Sequence, residues 1–276
     1  MPELPEVETI KRILEGQLKN QKICSVEIKN PQIIAHPSEN EFIKLLTGRK
    51  INSMGRRGKF LIINLENNDR IILHLRMTGQ LLVAPKNYEV EKHTHLIAKL
   101  SGGNEVRYID VRRFGRFWYL MKNEKDDFTG IAKLGAEPCD KNLTAEYLKE
   151  KLSHKKKTIK ELLLDQSIVA GIGNIYSDEI LFAAKIFPGK SGLNLCDEDY
   201  EKLSQKIPEI IKWGIEANKM SAEEYFSGKG KDYRNMPLLK IYGREGKACI
   251  NCGTAIEKVT LGGRSSCFCP ECQKKN

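Results

Sequence analysis

The chain has no run of 18 or more apolar residues, so it carries no membrane-spanning helix of ordinary length. Its start lacks a basic stretch followed by an apolar one, which excludes a secretory signal and predicts a cytosolic protein. No internal repeat or low-complexity tract appears. Acidic residues are missing from Arg49 to Leu65, where five basic residues stand alone. What is present fits a globular chain. Its 276 residues suffice for two domains, and 40% hydrophobic content can build a core. The net charge is +10, and Gly228–Asn276 holds ten basic against four acidic residues. Local basic clusters of this kind predict a polyanion partner, most often nucleic acid, although a merely soluble surface also carries such charge.

A cytosolic chain keeps its thiols reduced, so its eight cysteines are not read as disulfides. Four of them form Cys249-x2-Cys252 and Cys269-x2-Cys272, separated by sixteen residues. That is the ligand spacing of a four-thiolate zinc site, closed and therefore structural. Gly262-Gly263 between the pairs predicts a hairpin turn, and Cys267 is a spare thiol. The hairpin tip carries Arg264, which reads equally as a solvent-facing cation or as a phosphate or minor-groove contact.

Periodicity divides the rest. Val7, Ile10, Leu14 and Leu18 recur at helical spacing, with Pro5 suited to the first helical position. Lys22–Lys29 alternates as a strand and Glu41–Thr47 reads as a short helix. Arg49–Met121 is β in texture, with strands at 60–65, 70–75, 79–83, 95–100, 105–110 and 116–121. Such regular short strands predict a sandwich or barrel. From Leu143 the chain is helical, over 144–152, 158–165, 174–184 and 197–212, with Thr144, Asp197 and Asp199 as cap candidates. Met220–Pro237 reads as a mobile polar loop before the cysteine module.

Several stretches could carry chemistry. Removal of Met1 would leave Pro2 with a free secondary amine, a nucleophile able to form a Schiff base, with Glu3 beside it to move a proton. Alone, the same residues fit an ordinary helix start. Lys59 opens a strand after Arg56-Arg57-Gly58 and reads as a phosphate contact, a Schiff-base lysine or a plain surface charge. Gly171-Ile172-Gly173-Asn174, between two helices, suits either phosphate approach or tight packing. Met77 and Phe114 lie beside Arg76 and Arg112-Arg113 at turns, where they serve as wedges into a base stack or as core residues.

In combination, the motifs are specific. Pro2-Glu-Leu-Pro-Glu-Val-Glu-Thr9, His74-Leu-Arg-Met-Thr-Gly79, Asp110-Val-Arg-Arg-Phe-Gly115, Leu134-Gly-Ala-Glu-Pro138, Leu163-Leu-Asp-Gln166 with Ala170–Tyr176, Tyr242-Gly-Arg-Glu-Gly246 and the cysteine module follow in order over nearly the whole chain. Together they resemble the bacterial formamidopyrimidine-DNA glycosylase family, which removes 8-oxoguanine and cuts abasic sites. The resemblance implies an α+β multi-domain fold: an N-terminal catalytic β-sandwich over 1–133, a helix-two-turn-helix domain over 134–220, a lesion-capping loop over 221–240 and a zinc finger over 241–276. It also implies that Pro2 is the nucleophile, with Glu3, Lys59 and Arg264 catalytic and Glu6 supporting. His74, Asn174 and Tyr242 would grip the DNA backbone, while Met77, Arg112 and Phe114 fill the void left by the flipped base. One structural zinc, damaged double-stranded DNA as partner, a monomeric state and a nucleoid-associated location in the bacterial cytoplasm follow from the same resemblance. Leu4 distinguishes this start from the Pro-Glu-Gly-Pro-Glu of the sister endonuclease VIII, an oxidised-pyrimidine enzyme that is the alternative reading. A lesion-binding protein without catalysis is the other alternative. Asn218–Ala222 and the loop of Ser227–Pro237 depart from the family pattern, and Ala136 replaces a common proline.

Overall fold

The structure is a computed structural model and describes residues 2–230, 233 and 235–275. Within them the chain forms two compact units. The first comprises the N-terminus through Pro2, Glu6–Ala132 and Lys219–Tyr233; the second comprises Glu3–Pro5, Lys133–Asn218 and the segment from 234 to the end.

Helix α1 (Leu4–Leu18), which belongs to the first unit from Glu6 on, places Val7, Ile10, Leu14 and Leu18 in that unit's core, with Ile13 packed at its edge. The helix starts one residue earlier than expected, so Pro5 sits inside the first turn, where N–H groups have no helical partner anyway. Strands follow: β1 (Ile23–Ile28), β2 (Ile34–His36), then helix α2 (Glu39–Leu46), β3 (Ile51–Arg57), β4 (Phe60–Leu65), β5 (Arg70–His74), β6 (Gly79–Pro85), β7 (Thr94–Leu100), β8 (Asn104–Asp110) and β9 (Arg116–Leu120). They form two sheets, ordered β1-β7-β8-β6 and β2-β9-β5-β4-β3. β2 pairs with β9 in parallel; the other pairs are antiparallel. Both sheets contribute to one core, where Phe117 meets Tyr108 and Phe42 edge-on. This is the expected sandwich with flanking helices. The short β2 and the basic strand β3, which carries Arg56 and Arg57, lack the clear alternation that marked the other strands.

The same unit holds helix α7 (Ala222–Ser227), where a loop was expected. Ser221 and Glu224 cap its start reciprocally, and the Tyr225 hydroxyl donates to the Leu81 carbonyl at 3.3 Å. Of the expected capping loop, Lys231, Asp232 and Arg234 lie outside the described residues.

The second unit packs α3 (Ala145–Leu152), α4 (Ile159–Leu164), α5 (Asn174–Ala184) and α6 (Asp197–Ala217) around Leu148, Leu162, Tyr176, Ile180, Leu203 and Ile207. Thr144 caps α3 as expected, accepting from the Tyr147 N–H. At α6 the cap is Cys196, not Asp197 or Asp199. Cys196 has the extended backbone of a cap, and the Asp199 carboxylate reaches back to its N–H at 3.0 Å while binding Lys190 at 2.7 Å. The hairpin of β10 (Glu257–Leu261) and β11 (Arg264–Phe268) turns at Gly262-Gly263. Among the described residues no helix is long and apolar enough to cross a membrane.

Candidate functional site

Each unit carries a share of the expected site residues. In the second unit, Glu3 is 2% exposed. Its carboxylate accepts from the backbone N–H groups of Gly173 at 2.8 Å, Ile175 at 2.9 Å and Tyr176 at 3.3 Å. These are the orphan donors at the start of α5, where the helix dipole favours an anion. The two glycines of the turn are explained by this seat. A Cβ on Gly173 would lie 2.4 Å from the Glu3 carboxyl carbon, and one on Gly171 would lie 2.5 Å from a Leu4 methyl. Gly171 also has φ +88°. The turn is thus shaped to receive the chain's own third and fourth residues. Gln166 clasps it, accepting from the Gly171 N–H at 2.9 Å and donating to the Ile172 carbonyl at 2.8 Å.

Asn174 opens α5 half-buried, and its side-chain oxygen has no hydrogen-bond partner among the described residues. Beneath it lies a charge that periodicity had hidden. Lys160 is 0% exposed and donates to the Asn174 carbonyl at 2.9 Å, Ser177 at 2.7 Å and Asp178 at 2.6 Å. Burial pulls the Lys160 ammonium down and the Asp178 carboxyl up; their mutual attraction opposes both. Asp178 also accepts from the Ser266 hydroxyl and from the Cys267 N–H at 3.0 Å. One buried ion pair therefore fixes both the Asn174 turn and the strand that begins at the exposed Arg264. Glu179 does similar work, accepting from the N–H groups of Lys240, Ile241 and Tyr242 at 2.9–3.1 Å and so setting the Tyr242 backbone.

The four cysteine sulfurs lie within 4.8 Å of one another. Cys249–Cys272 is 3.9 Å, Cys252–Cys269 3.5 Å and Cys252–Cys272 3.6 Å. A tetrahedral zinc with bonds of about 2.3 Å sets sulfurs about 3.8 Å apart, so the site fits one structural zinc. Cys267 stands in β11 outside this cluster, as expected of a spare thiol.

In the first unit, Pro2, Glu6, Lys59 and His74 are buried. Lys59 follows the β3–β4 turn, which Arg56 ties to α1. Arg56 donates to Glu8 at 3.0 Å and to the Gly58 carbonyl at 3.0 Å. Neither Glu8 nor Arg56 was expected at the site, although both lie within or beside its motifs. His74 is held neutral: burial, then the Arg76 and Lys59 charges, lower its pKa from 6.5 to about 3. Its Nδ1 accepts from the Arg76 N–H at 3.0 Å, which leaves the proton on Nε2. Met77 and Phe114 are 43% and 47% exposed, which excludes the core reading for both. Arg112 links them: its guanidinium meets the Met77 sulfur at 2.9 Å and lies 4.6 Å over the Phe114 ring. Tyr233 has its hydroxyl pushed well up by burial, then by Tyr225 and Glu6, which puts this ring in the field of Glu6.

Comparison with known proteins covers both units. The formamidopyrimidine-DNA glycosylase N-terminal domain model matches residues 1–117, and the formamidopyrimidine-DNA glycosylase H2TH domain model matches residues 134–225. The zinc finger found in FPG and IleRS matches residues 246–275. The chain is 41% identical to the formamidopyrimidine-DNA glycosylase of Pelotomaculum thermopropionicum over 274 residues, covering 99% of each chain. It is 41% identical to that of Shouchella clausii over 276 residues, covering 100% of both. A crystal structure of the Lactococcus lactis protein in complex with FAPY-dG-containing DNA superposes with a TM-score of 0.91 at 37% identity, covering 99% of this chain and 100% of that one.

Three outcomes follow from this geometry. Gly173→Ala should destabilise the protein by about 1–3 kcal/mol in denaturant titration, because the new methyl overlaps Glu3. Cys249→Ser should drop bound zinc from one per chain to near zero by metal analysis. His74 favours folding fully above its ordinary pKa of 6.5, and that contribution is lost as pH falls toward about 3. His74→Asn should therefore shrink the fall in urea midpoint between neutral and acid pH.

Proposed function

The chain belongs to the formamidopyrimidine-DNA glycosylase family, and from that premise we propose that it excises oxidised purines from duplex DNA and then cleaves the strand. The observation that carries this reading is the seat of Glu3. Three backbone N–H groups at the start of α5 hold the residue that directly follows Pro2, in the same turn that presents Asn174. A buried carboxylate so fully bonded fixes the chain on either side of it.

With Met1 removed, the Pro2 nitrogen attacks C1′ of the damaged nucleotide and the base departs with a proton. Glu3 moves the proton at the sugar ring or leaving base, with Glu6 in support. The resulting iminium acidifies C2′. β-Elimination expels the 3′ phosphate, δ-elimination the 5′ phosphate, and hydrolysis returns the amine. Lys59, Asn174 and Arg264 bind phosphates; Tyr242 assists along the backbone. His74 contributes a neutral Nε2–H rather than a charge. The exposed, mutually braced Met77, Arg112 and Phe114 fill the gap left by the extruded base, whose unstacking costs a few kcal/mol. The segment of 221–240, which follows the helical domain of 134–220 in the chain and precedes the zinc finger of 241–276, serves as the lesion-capping element. The enzyme acts as a monomer on bacterial nucleoid DNA.

Borohydride trapping tests this directly. A duplex bearing 8-oxoguanine opposite cytosine should yield a covalent adduct that Pro2→Gly abolishes while duplex binding persists. An adduct formed mainly on an oxidised pyrimidine would move the chain to the sister specificity. Binding without any adduct would leave a non-catalytic lesion binder.

A further inference from the structure

The two loops that carry Met77, Arg112 and Phe114 meet at one buried carboxylate. Asp110, at the end of β8, is 0% exposed. Its Oδ1 accepts from the Thr78 hydroxyl and from the Arg112 N–H at 3.2 Å. Its Oδ2 accepts from the Tyr108 hydroxyl and from the Gly115 N–H, both at 2.9 Å. Thr78 closes the ring, its hydroxyl oxygen accepting from the same Arg112 N–H at 3.2 Å. The loop of 75–79 and the loop of 111–115 are thus joined through a single side chain.

Both loops need such a clamp. Arg76 has φ +55° and Arg113 has φ +57°, left-handed conformations that cost a non-glycine residue energy. They persist only where the surroundings impose them. Gly115 has no freedom either: a Cβ there would lie 1.7 Å from the Tyr108 hydroxyl. The wedge side chains themselves are exposed, so apolar packing does not hold them.

We propose that Asp110 is a positioning residue for base extrusion, setting the wedge loops in their working geometry before DNA arrives. This rests on the reading of Met77, Arg112 and Phe114 as a wedge. Preorganised side chains enter the stack without an ordering cost at the moment of binding. The clamp requires a carboxylate. Four donors point at its two oxygens, and two of them are backbone N–H groups that cannot turn into acceptors. Burial raises the Asp110 carboxyl while the four donors lower it, and the donors prevail, which keeps the group ionised at neutral pH. An asparagine would set its amide N–H2 against either the Arg112 or the Gly115 N–H, so one of the two loops would be released.

The test compares single-turnover excision of one oxidised purine presented in two ways: paired with cytosine in a duplex, and unpaired in a bubble where no stack must be opened. Asp110→Asn should slow excision from the paired site by about tenfold or more and leave the bubble within about twofold. Thr78→Val keeps the side-chain outline and removes the bridging hydroxyl; it should show the same selective loss, smaller, at a temperature where circular dichroism shows the variant fully folded. Phe114→Ala reports on the wedge itself. If Phe114→Ala does not change the paired-to-unpaired ratio, the wedge reading fails. If Phe114→Ala changes that ratio while Asp110→Asn and Thr78→Val slow both substrates equally or neither, the positioning role is overturned.

Discussion

The Glu3 carboxylate on the first N–H groups of α5 is the constraint from which the candidate site follows. A buried anion without partners would cost several kcal/mol, and three backbone donors remove that cost. The donors are free only because a helix begins there. The glycines at 171 and 173 exist because anything larger would strike Leu4 and Glu3. The nucleophile candidate Pro2 is the residue directly before this anchor in the chain.

The same device recurs at three further places. Asp110, Asp178 and Glu179 are each buried, and each accepts from backbone N–H of a segment that carries a candidate site residue: the exposed Arg112, the exposed Arg264 and the half-buried Tyr242. Carboxylates suit this task because they offer only acceptors, in two directions, to donors that cannot be reoriented. Lys160 adds a buried cation to the Asp178 cluster and reaches the Asn174 carbonyl. Rigid placement of exposed, flexible side chains such as Arg264 and Arg112 therefore rests on polar groups in the interior rather than on apolar packing alone. A binding site built this way loses less entropy on meeting its ligand.

Much of the fold was legible beforehand because its signals are local. Val7, Ile10, Leu14 and Leu18 spell one helical face, and Phe60–Leu65 and Arg70–His74 spell strands on either side of an Asn-Asn-Asp turn. α7 was missed because Ala222–Ser227 spans six residues, too short for periodicity to show, and only Tyr225 among them is buried. The cap of α6 was misassigned because Asp197 and Asp199 look alike in sequence, while backbone geometry selects Cys196 as the cap and Asp199 as its partner. Met77 and Phe114 were undecided between core and wedge, since an apolar residue at a turn satisfies either until its exposure is known.

By itself the sequence determined the zinc site and the order of sandwich, helices and hairpin. Each depends on spacing along the chain, which is a one-dimensional property. Only the tertiary structure decided which acidic groups are buried and what holds them. Glu3 meets its donors 170 residues away, Asp178 meets Cys267 across 89, and Thr78 meets Asp110 across 32. Contacts at such separations leave no local pattern, because they arise from folding of the whole chain rather than from the preferences of any one segment.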